Sequence, residues 1–330
     1  MSNQAKSDNG SPGDKLLDTM LADLANAPAQ YRPTNFWSSV LNQVIDAIRQ
    51  YGIESFRDES AITCFVPHYT DAEEKYFISA IEDYRIFLAA DTNSRPNLQH
   101  ISESKEGNPT QHYTFDGKNY SRSMLNYLRG LAFLKKTVDT SSIRRVLEIG
   151  GGYGTLGEII FKSDYDNSVY IDVDIPPAAY IATRYLQKVF GENSILDYSK
   201  IRHLDTIDLS HIEQTHKGAV LMPWQIPAIK GEVDLFVNFF SFQEMEPDVV
   251  ENYARFVDRC NPTYLLLRNQ KEGKNLAEKP GDIGVIEPTT RAHYIRFFNN
   301  YDCIAIDARI FGCIKGEFQS EVMIFKRKYK

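Results

Sequence analysis

From residue 144 onward, short apolar runs alternate with longer stretches in which apolar residues recur every three or four positions. "RRVLEIG" (144–150), "SVYIDVDIP" (168–176), "GAVLMPW" (218–224), "VDLFVNFFSF" (233–242) and "TYLLLRN" (263–269) read as strands. "TLGEIIFKS" (155–163), "AAYIATRYLQKVFG" (178–191) and "PDVVENYARFVDRC" (247–260) read as helices. Strand–helix alternation of this kind predicts an α/β domain with a parallel sheet covered on both faces. The end of the chain departs from it. "YDCIAIDARIFG" (301–312) and "SEVMIFKRK" (320–328) are joined by "CIKGEFQ" with no helix between them, so a hairpin should close the sheet with an antiparallel strand.

The first part of the chain carries a different pattern. "KLLDTMLADLANA" (15–27) has helical spacing, and so does "YRPTNFWSSVLNQVIDAIRQYG" (31–52), which sets Trp37, Val40, Leu41, Val44, Ile45 and Ile48 on one face. Pro33 and Thr34 start that helix and Gly52 stops it. "DAEEKYFISAIEDYRIFLAA" (71–90) and "YSRSMLNYLRGLAFLKKTVD" (120–139) are further helices, and residues 91–119 between them read as loop. The expected organisation is a disordered polar leader at 1–14, a helical N-terminal region at 15–140 that serves as lid and recognition element, and a catalytic α/β domain at 141–330.

Composition narrows the function classes. A hydrophobic fraction of 42% over 330 residues supports a full core. A net charge of −7 and a pI near 5.6 argue against a nucleic-acid-binding surface. The sequence has neither an apolar run of membrane-spanning length nor a secretory h-region, which points to a cytoplasmic protein. Cys64, Cys260, Cys303 and Cys313 lack zinc-ligand spacing and read as reduced thiols. No metal site is expected from spacing, although a divalent ion stays open, as does a homo-oligomer.

The candidate chemistry starts at "VLEIGGGYGTLG" (146–157), which holds two overlapping patterns. Gly150-x-Gly152-x-Gly154 is the spacing of an S-adenosylmethionine (SAM) loop, and Gly152-x-Gly154-x-x-Gly157 fits a dinucleotide fingerprint. The apolar strand stops at Ile149, directly before Gly150, which favours the first register. Glu148 at the strand's end suits a cationic ligand facing the crevice and would repel a pyrophosphate. Asp174, at the end of the second strand, can accept ribose hydroxyls in either ligand class, with Asp172 as its competitor.

"VLEIGGGYGTLGEII", "DVDIPPAAYIATRYL" and "VDLFVNFFSFQEM" together resemble the sugar O-methyltransferase family, known from antibiotic-glycoside and surface-polysaccharide pathways. The resemblance extends upstream through "YRPTNFW" and "DGKNYSRSMLNYLRGLAFL", covering about residues 31–270. It implies a Rossmann-like class I methyltransferase sheet, SAM as cofactor and a glycosylated small-molecule acceptor. It also implies cofactor contacts from Glu148, Gly150, Gly152, Gly154 and Asp174, an adenine wall at Pro223, Trp224 and Gln225, and Asn238 and Ser241 below the transferred methyl group.

Methylating a hydroxyl requires removal of a proton from a very weak acid. Glu244 in "SFQEM" is the expected base, with Gln243 beside it, and His293 is the runner-up, ahead of His112 and His203. Arg268 and Asn269 could contact a sugar or an attached anionic group, while Tyr113, Phe115, Tyr120 and Tyr153 are candidate sugar-stacking aromatics. A methyltransferase of a non-sugar acceptor, an NAD-dependent oxidoreductase and a non-catalytic scaffold are the competing readings.

Overall fold

The computed structural model of the chain describes residues 12–58, 73–165, 167–307 and 320–328, without the side chains of 12–14 and 73–76. The expected leader up to residue 11, Cys64, Cys313 and the 313–319 connector lie outside the described residues. Helices α1 (Pro12–Asn26), α2 (Asn35–Tyr51) and α3 (Glu73–Ala90) come first, followed by β1 (Tyr113–Phe115), β2 (Lys118–Tyr120) and α4 (Arg122–Thr137). The alternating part opens with β3 (Arg145–Ile149), α5 (Thr155–Lys162), β4 (Val169–Val173), α6 (Pro176–Phe190), β5 (Ile195–Leu196) and α7 (Tyr198–Ile201). It continues through β6 (Ile207–Asp208), α8 (Leu209–Thr215), β7 (Gly218–Leu221), β8 (Ile229–Lys230), β9 (Leu235–Phe239) and α9 (Pro247–Arg259). β10 (Tyr264–Gln270), α10 (Arg291–Phe297), β11 (Tyr301–Asp307) and β12 (Ser320–Arg327) complete it.

Eight strands form one sheet in the order β11-β12-β10-β9-β3-β4-β7-β5. Neighbours from β10 to β5 run parallel, whereas β12 is antiparallel to both β10 and β11. This is a Rossmann-like α/β sheet with the expected antiparallel hairpin. The last strand does not form the edge, however. It inserts between β10 and β11, and β11 takes the edge, with Ile304 and Ile306 of its alternating pattern turned to solvent.

Both faces of the sheet are covered, which is why its strands are almost uniformly apolar. Val146, Tyr170, Leu235, Val237, Leu266 and Ile324 point to one face, where they share a core with α4, α5 and α6. Leu147, Ile171, Phe236, Leu265, Leu267 and Phe325 point to the other, against α8, α9 and α10. Leu16, Leu17 and Met20 of α1 and Val44 and Ile48 of α2 belong to the first of these cores. The N-terminal helices thus pack on the sheet's own helical layer, and no gap in the core marks the expected boundary near residue 140.

One element was not expected. β1 and β2 make a tight hairpin inside the stretch read as loop, turning at Asp116 and Gly117 with φ of 48° and 75°. Asp-Gly is the strongest short hairpin signal, because both turn residues must adopt left-handed backbone.

The strand order reverses between β3 and β9: β4 and β7 extend to one side of β3, β9 and β10 to the other. The crevice outside the carboxyl ends of these strands is where open α/β sheets bind ligands. Glycine positions around it differ in purpose. Gly157 on α5 is a packing residue, since a Cβ there would stand 2.7 Å from the Tyr170 ring and 3.1 Å from Leu186. Gly157→Ala should therefore cost about 1–3 kcal/mol, measured as a lower urea midpoint with an unchanged slope.

Candidate active site

The chain leaves β3 through Gly150, Gly152 and Gly154, with φ of 78°, 63° and 91°. All three are left-handed, a conformation only glycine takes without strain, so the backbone itself explains the spacing. The three differ in their surroundings. A Cβ on Gly150 would lie 2.1 Å from Ser241 Oγ, whereas nothing stands within 4 Å of the corresponding point on Gly152. Gly150 lets the β9 exit come close, and Gly152 opens onto free space.

Two amide groups of the loop are committed to carboxylates. Gly151 N–H donates to Asp172 Oδ1 (3.1 Å), and Gly152 N–H donates to Asp174 Oδ2 (2.9 Å). Asp174 Oδ1 also accepts from Ile175 N–H (2.7 Å), so this one carboxylate ties the two strand exits together. Asp174 is half-buried, and burial pushes its pKa up to about 7. Asp172 is fully buried, its Oδ2 has no hydrogen-bond partner, and burial with the nearby Asp174 and Glu148 raises its pKa further.

Glu148 corrects an expectation. It does not face the crevice: it is fully buried beside Asp172 across the β3–β4 pairing, and each oxygen accepts a tyrosine hydroxyl. Tyr127 of α4 donates to Oε1 (2.7 Å) and Tyr170 to Oε2 (2.5 Å). Burial lifts its pKa to about 8 in spite of these two donors. Among the described residues none of the three carboxylates has a salt-bridge partner, so the floor of the crevice is acidic and uncompensated.

At the β9 exit the backbone turns through Phe240, a bulky residue at φ 65° and a true outlier for its type. This turn brings Ser241 against Gly150. Asn238 is wholly internal: its Nδ2 donates to Ile149 O (2.8 Å) and its Oδ1 accepts from Phe242 N–H and Asn269 Nδ2. Gln243 is also used up, since its Oε1 accepts from Gln270 N–H (2.7 Å). Both residues brace the β9–β10 exits.

Glu244 follows, with its side chain 14% exposed. Its Oε1 accepts from Lys274 Nζ (2.5 Å), its Oε2 from the Trp37 indole N–H (3.1 Å), and its backbone carbonyl from Thr34 Oγ1 (2.8 Å). Burial raises its pKa, and Lys274 and Trp37 oppose that rise. Its charge contributes, after burial, to the raised pKa of Asp174. Asn35 clamps the neighbouring 271–290 segment by accepting from Gly281 N–H and donating to the carbonyls of Asp282 and Gly284.

The remaining candidates fall elsewhere. His293 caps its own helix: its Nδ1 accepts from Thr290 N–H (3.1 Å) and its ring stacks on Phe297. That use of Nδ1 corrects the reading of His293 as a base. Gln225 is buried in the short 3₁₀ helix after β7, bonded to Met222 N–H and Ile201 O. Pro223 starts that helix, and Trp224 is half-buried, donating to the Tyr198 hydroxyl (3.2 Å). Arg268 lies over the Phe240 ring and donates to Asn126 O (3.2 Å), and burial lowers its pKa to about 10.

Tyr120 and Tyr153 are core residues. Tyr120 packs on Tyr84 and Phe115. The Tyr153 hydroxyl donates to Glu103 Oε1 (2.8 Å), within a buried network that the sequence reading missed. Glu103 pairs with Arg57 (2.8 Å) and with His112 (3.1 Å), and Arg57 and His112 hold its pKa at about 2. Lys274, Trp37 and Asn35 were also missed as site residues. Their signal is contact across the fold, which no local pattern carries. Among the described residues no group of three or more His, Cys, Asp or Glu is placed to hold a metal ion. No described helix is long and apolar enough to cross a membrane.

The raised carboxylates bind protons in the folded state that the unfolded chain releases, so stability should fall as pH rises from about 5 to about 8. Glu103, with its lowered pKa, acts oppositely, and its contribution is lost only in acid below that window. Urea midpoints at pH 5.5 and pH 8 should show the decline, and Glu148→Gln should flatten it.

No family model matches the chain, and no curated protein is similar to it. Solved structures align with the chain at low identity. Mitomycin 7-O-methyltransferase aligns over 97% of this chain and 74% of its own, with 10% identity and a TM-score of 0.39. The N-terminal domain of EvdMO1, crystallised with S-adenosylhomocysteine and D-fucose, aligns over 74% and 97% respectively, with 11% identity and a TM-score of 0.39. Magnesium protoporphyrin IX methyltransferase from Synechocystis PCC 6803 aligns over 56% and 73%, with 11% identity and a TM-score of 0.36.

Proposed function

We propose that the chain is a SAM-dependent methyltransferase that methylates a hydroxyl group of a small molecule. The observation that carries this reading is the fate of the glycine-loop amides. A pyrophosphate needs free N–H donors at such a loop and helix start. Here Asp172 and Asp174 occupy the N–H groups of Gly151 and Gly152, and they present an acidic floor instead. Those two amides are not free for a pyrophosphate, whereas a ligand with ammonium and sulfonium charges would favour the ionised form of carboxylates whose proton affinity burial has raised.

The residues fit such a donor. Gly152 leaves space open, and Asp172 keeps an unpartnered buried oxygen beneath the loop. Asp174, with one N–H on each oxygen, has lone pairs remaining for a ribose diol. Glu148 stands below the sheet surface, fixed by the hydroxyls of Tyr127 and Tyr170. Bound there, a sulfonium donor supplies an electrophilic methyl carbon. As the acceptor oxygen closes on that carbon it must lose its proton, and Glu244 is the carboxylate on the acceptor side of the crevice that can take it.

A sugar or glycosylated metabolite as acceptor, in natural-product or polysaccharide pathways, rests on the sequence resemblance of about residues 31–270. That resemblance is also what supports the adenine wall at Pro223 and Trp224 and an acceptor contact at Arg268. The cytoplasm is the compartment that fits both the cofactor and the cysteine usage.

Calorimetric titration should show SAM binding and no NAD binding; the reverse result would overturn the reading. Asp174→Ala should weaken SAM binding by at least about tenfold, the loss of two charge-assisted hydrogen bonds. Gly152→Ala should bind poorly while losing only about 1 kcal/mol of stability, since its Cβ meets nothing but ligand space. Glu244→Gln should keep SAM affinity and lower turnover about 10²-fold or more on whichever glycosylated acceptor a mass-spectrometric panel identifies.

A further inference from the structure

Glu244 stands where three parts of the chain meet. The turn after β9 carries it, α2 supplies the Trp37 indole, and the 271–290 segment supplies Lys274. Lys274 is itself held in place. Its ammonium lies 3.5 Å from the centre of the Phe36 ring, and its segment is clamped to the start of α2 by the three hydrogen bonds of Asn35. Thr289 Oγ1 donates to Met245 O, and Ile286 N–H to Glu246 Oε1, docking the same segment beside Glu244. The carboxylate is thus gripped on both oxygens by donors from segments that are distant in sequence.

We propose that Lys274 is the positioning residue of the proton-transfer step, holding the Glu244 carboxylate ionised and aimed, with the Trp37 indole fixing the second oxygen. The proposal rests on the methyltransferase reading, in which Glu244 accepts the acceptor's proton. The balance of charge around Glu244 explains why a cation is needed. Its side chain is largely withdrawn from water, Glu246 lies two residues on, and Lys274 is the one cation in contact with it among the described residues. A carboxylate so far withdrawn from water would otherwise hold its proton and could not accept one. The electrostatics agree, with burial raising the Glu244 pKa and Lys274 heading the groups that lower it.

The structure supplies its own probe. The chain has two tryptophans, and the indole N–H of one of them, Trp37, donates directly to Glu244. In a proton–nitrogen correlation spectrum of the full chain, the two indole signals are assigned with Trp224→Phe. The Trp37 signal should then shift with pH as Glu244 titrates, and this shift should vanish in Glu244→Gln. Lys274→Met, or Lys274→Gln should the methionine variant fail to fold, should move the midpoint upward by about one pH unit or more. Lys274→Arg should return it to near the wild-type value. A midpoint unmoved by removing the Lys274 charge would overturn the proposal, as would a Trp37 signal indifferent to Glu244→Gln. The measurement needs neither methyl donor nor acceptor. A chain that shows the shift yet fails to bind SAM would refute the methyltransferase reading while leaving the hold of Lys274 on Glu244 in place.

Discussion

Everything at the crevice depends on two carboxylates from β4 accepting the amide hydrogens of the loop that leaves β3. Left-handed glycines let the chain turn sharply, but they do not determine where the turned segment sits. Asp172 and Asp174 do, by bonding to successive loop amides while Asp174 also holds the start of α6. This arrangement takes up two amides of a loop of the kind that can cradle an anion. Like charges are crowded together in a space of low polarity, and the strain is eased by tyrosine hydroxyls below and by raised proton affinity. A cationic ligand is the natural complement of such a floor.

The other wall of the crevice is assembled from remote pieces. Glu244 belongs to the β9 exit, yet its orientation comes from the start of α2 and from the long segment between β10 and α10. Behind the glycine loop, Tyr153 reaches Glu103, which is neutralised by Arg57. Burying such a pair costs much desolvation energy, and losing either partner leaves an unpaired interior charge. The N-terminal region is therefore bound to the α/β layer at many points, among them the ion pairs Arg129–Asp307 and Arg202–Asp23.

What could be read in the sequence was what periodicity and turn chemistry carry. The parallel sheet, its terminal hairpin and the glycine register all follow from short-range pattern, because strands buried on both faces must be apolar and left-handed turns need glycine. Sense of direction was legible less well. Glu148 and Asp172 lie side by side under the loop, and no spacing rule tells which carboxylate of a strand end faces ligand and which faces a tyrosine. Asn238, Gln243, Gln225 and His293 look like site residues because they are polar and sit near strand ends. Each satisfies backbone groups near a turn or helix start, a requirement that applies to any buried turn. Lys274 and Trp37 lie outside any motif, since a loop lysine and a helix tryptophan become partners only when the chain folds.

The shared core of α1, α2 and the sheet has a consequence for how the chain reaches its native state. Leu16, Leu17, Val44 and Ile48 are made first but bury against α6 and its neighbours, which are encoded more than a hundred residues later. On an emerging chain these apolar faces have no partner until β3, β4 and α6 have been synthesised. The early helices must therefore wait, exposed to solvent or to a chaperone, and the contacts that finally cover them are long in sequence separation. Such topologies fold slowly and leave sticky intermediates open for longer. An isolated 141–330 fragment would carry the mirror of this problem, a sheet with one helical layer stripped of its outer cover.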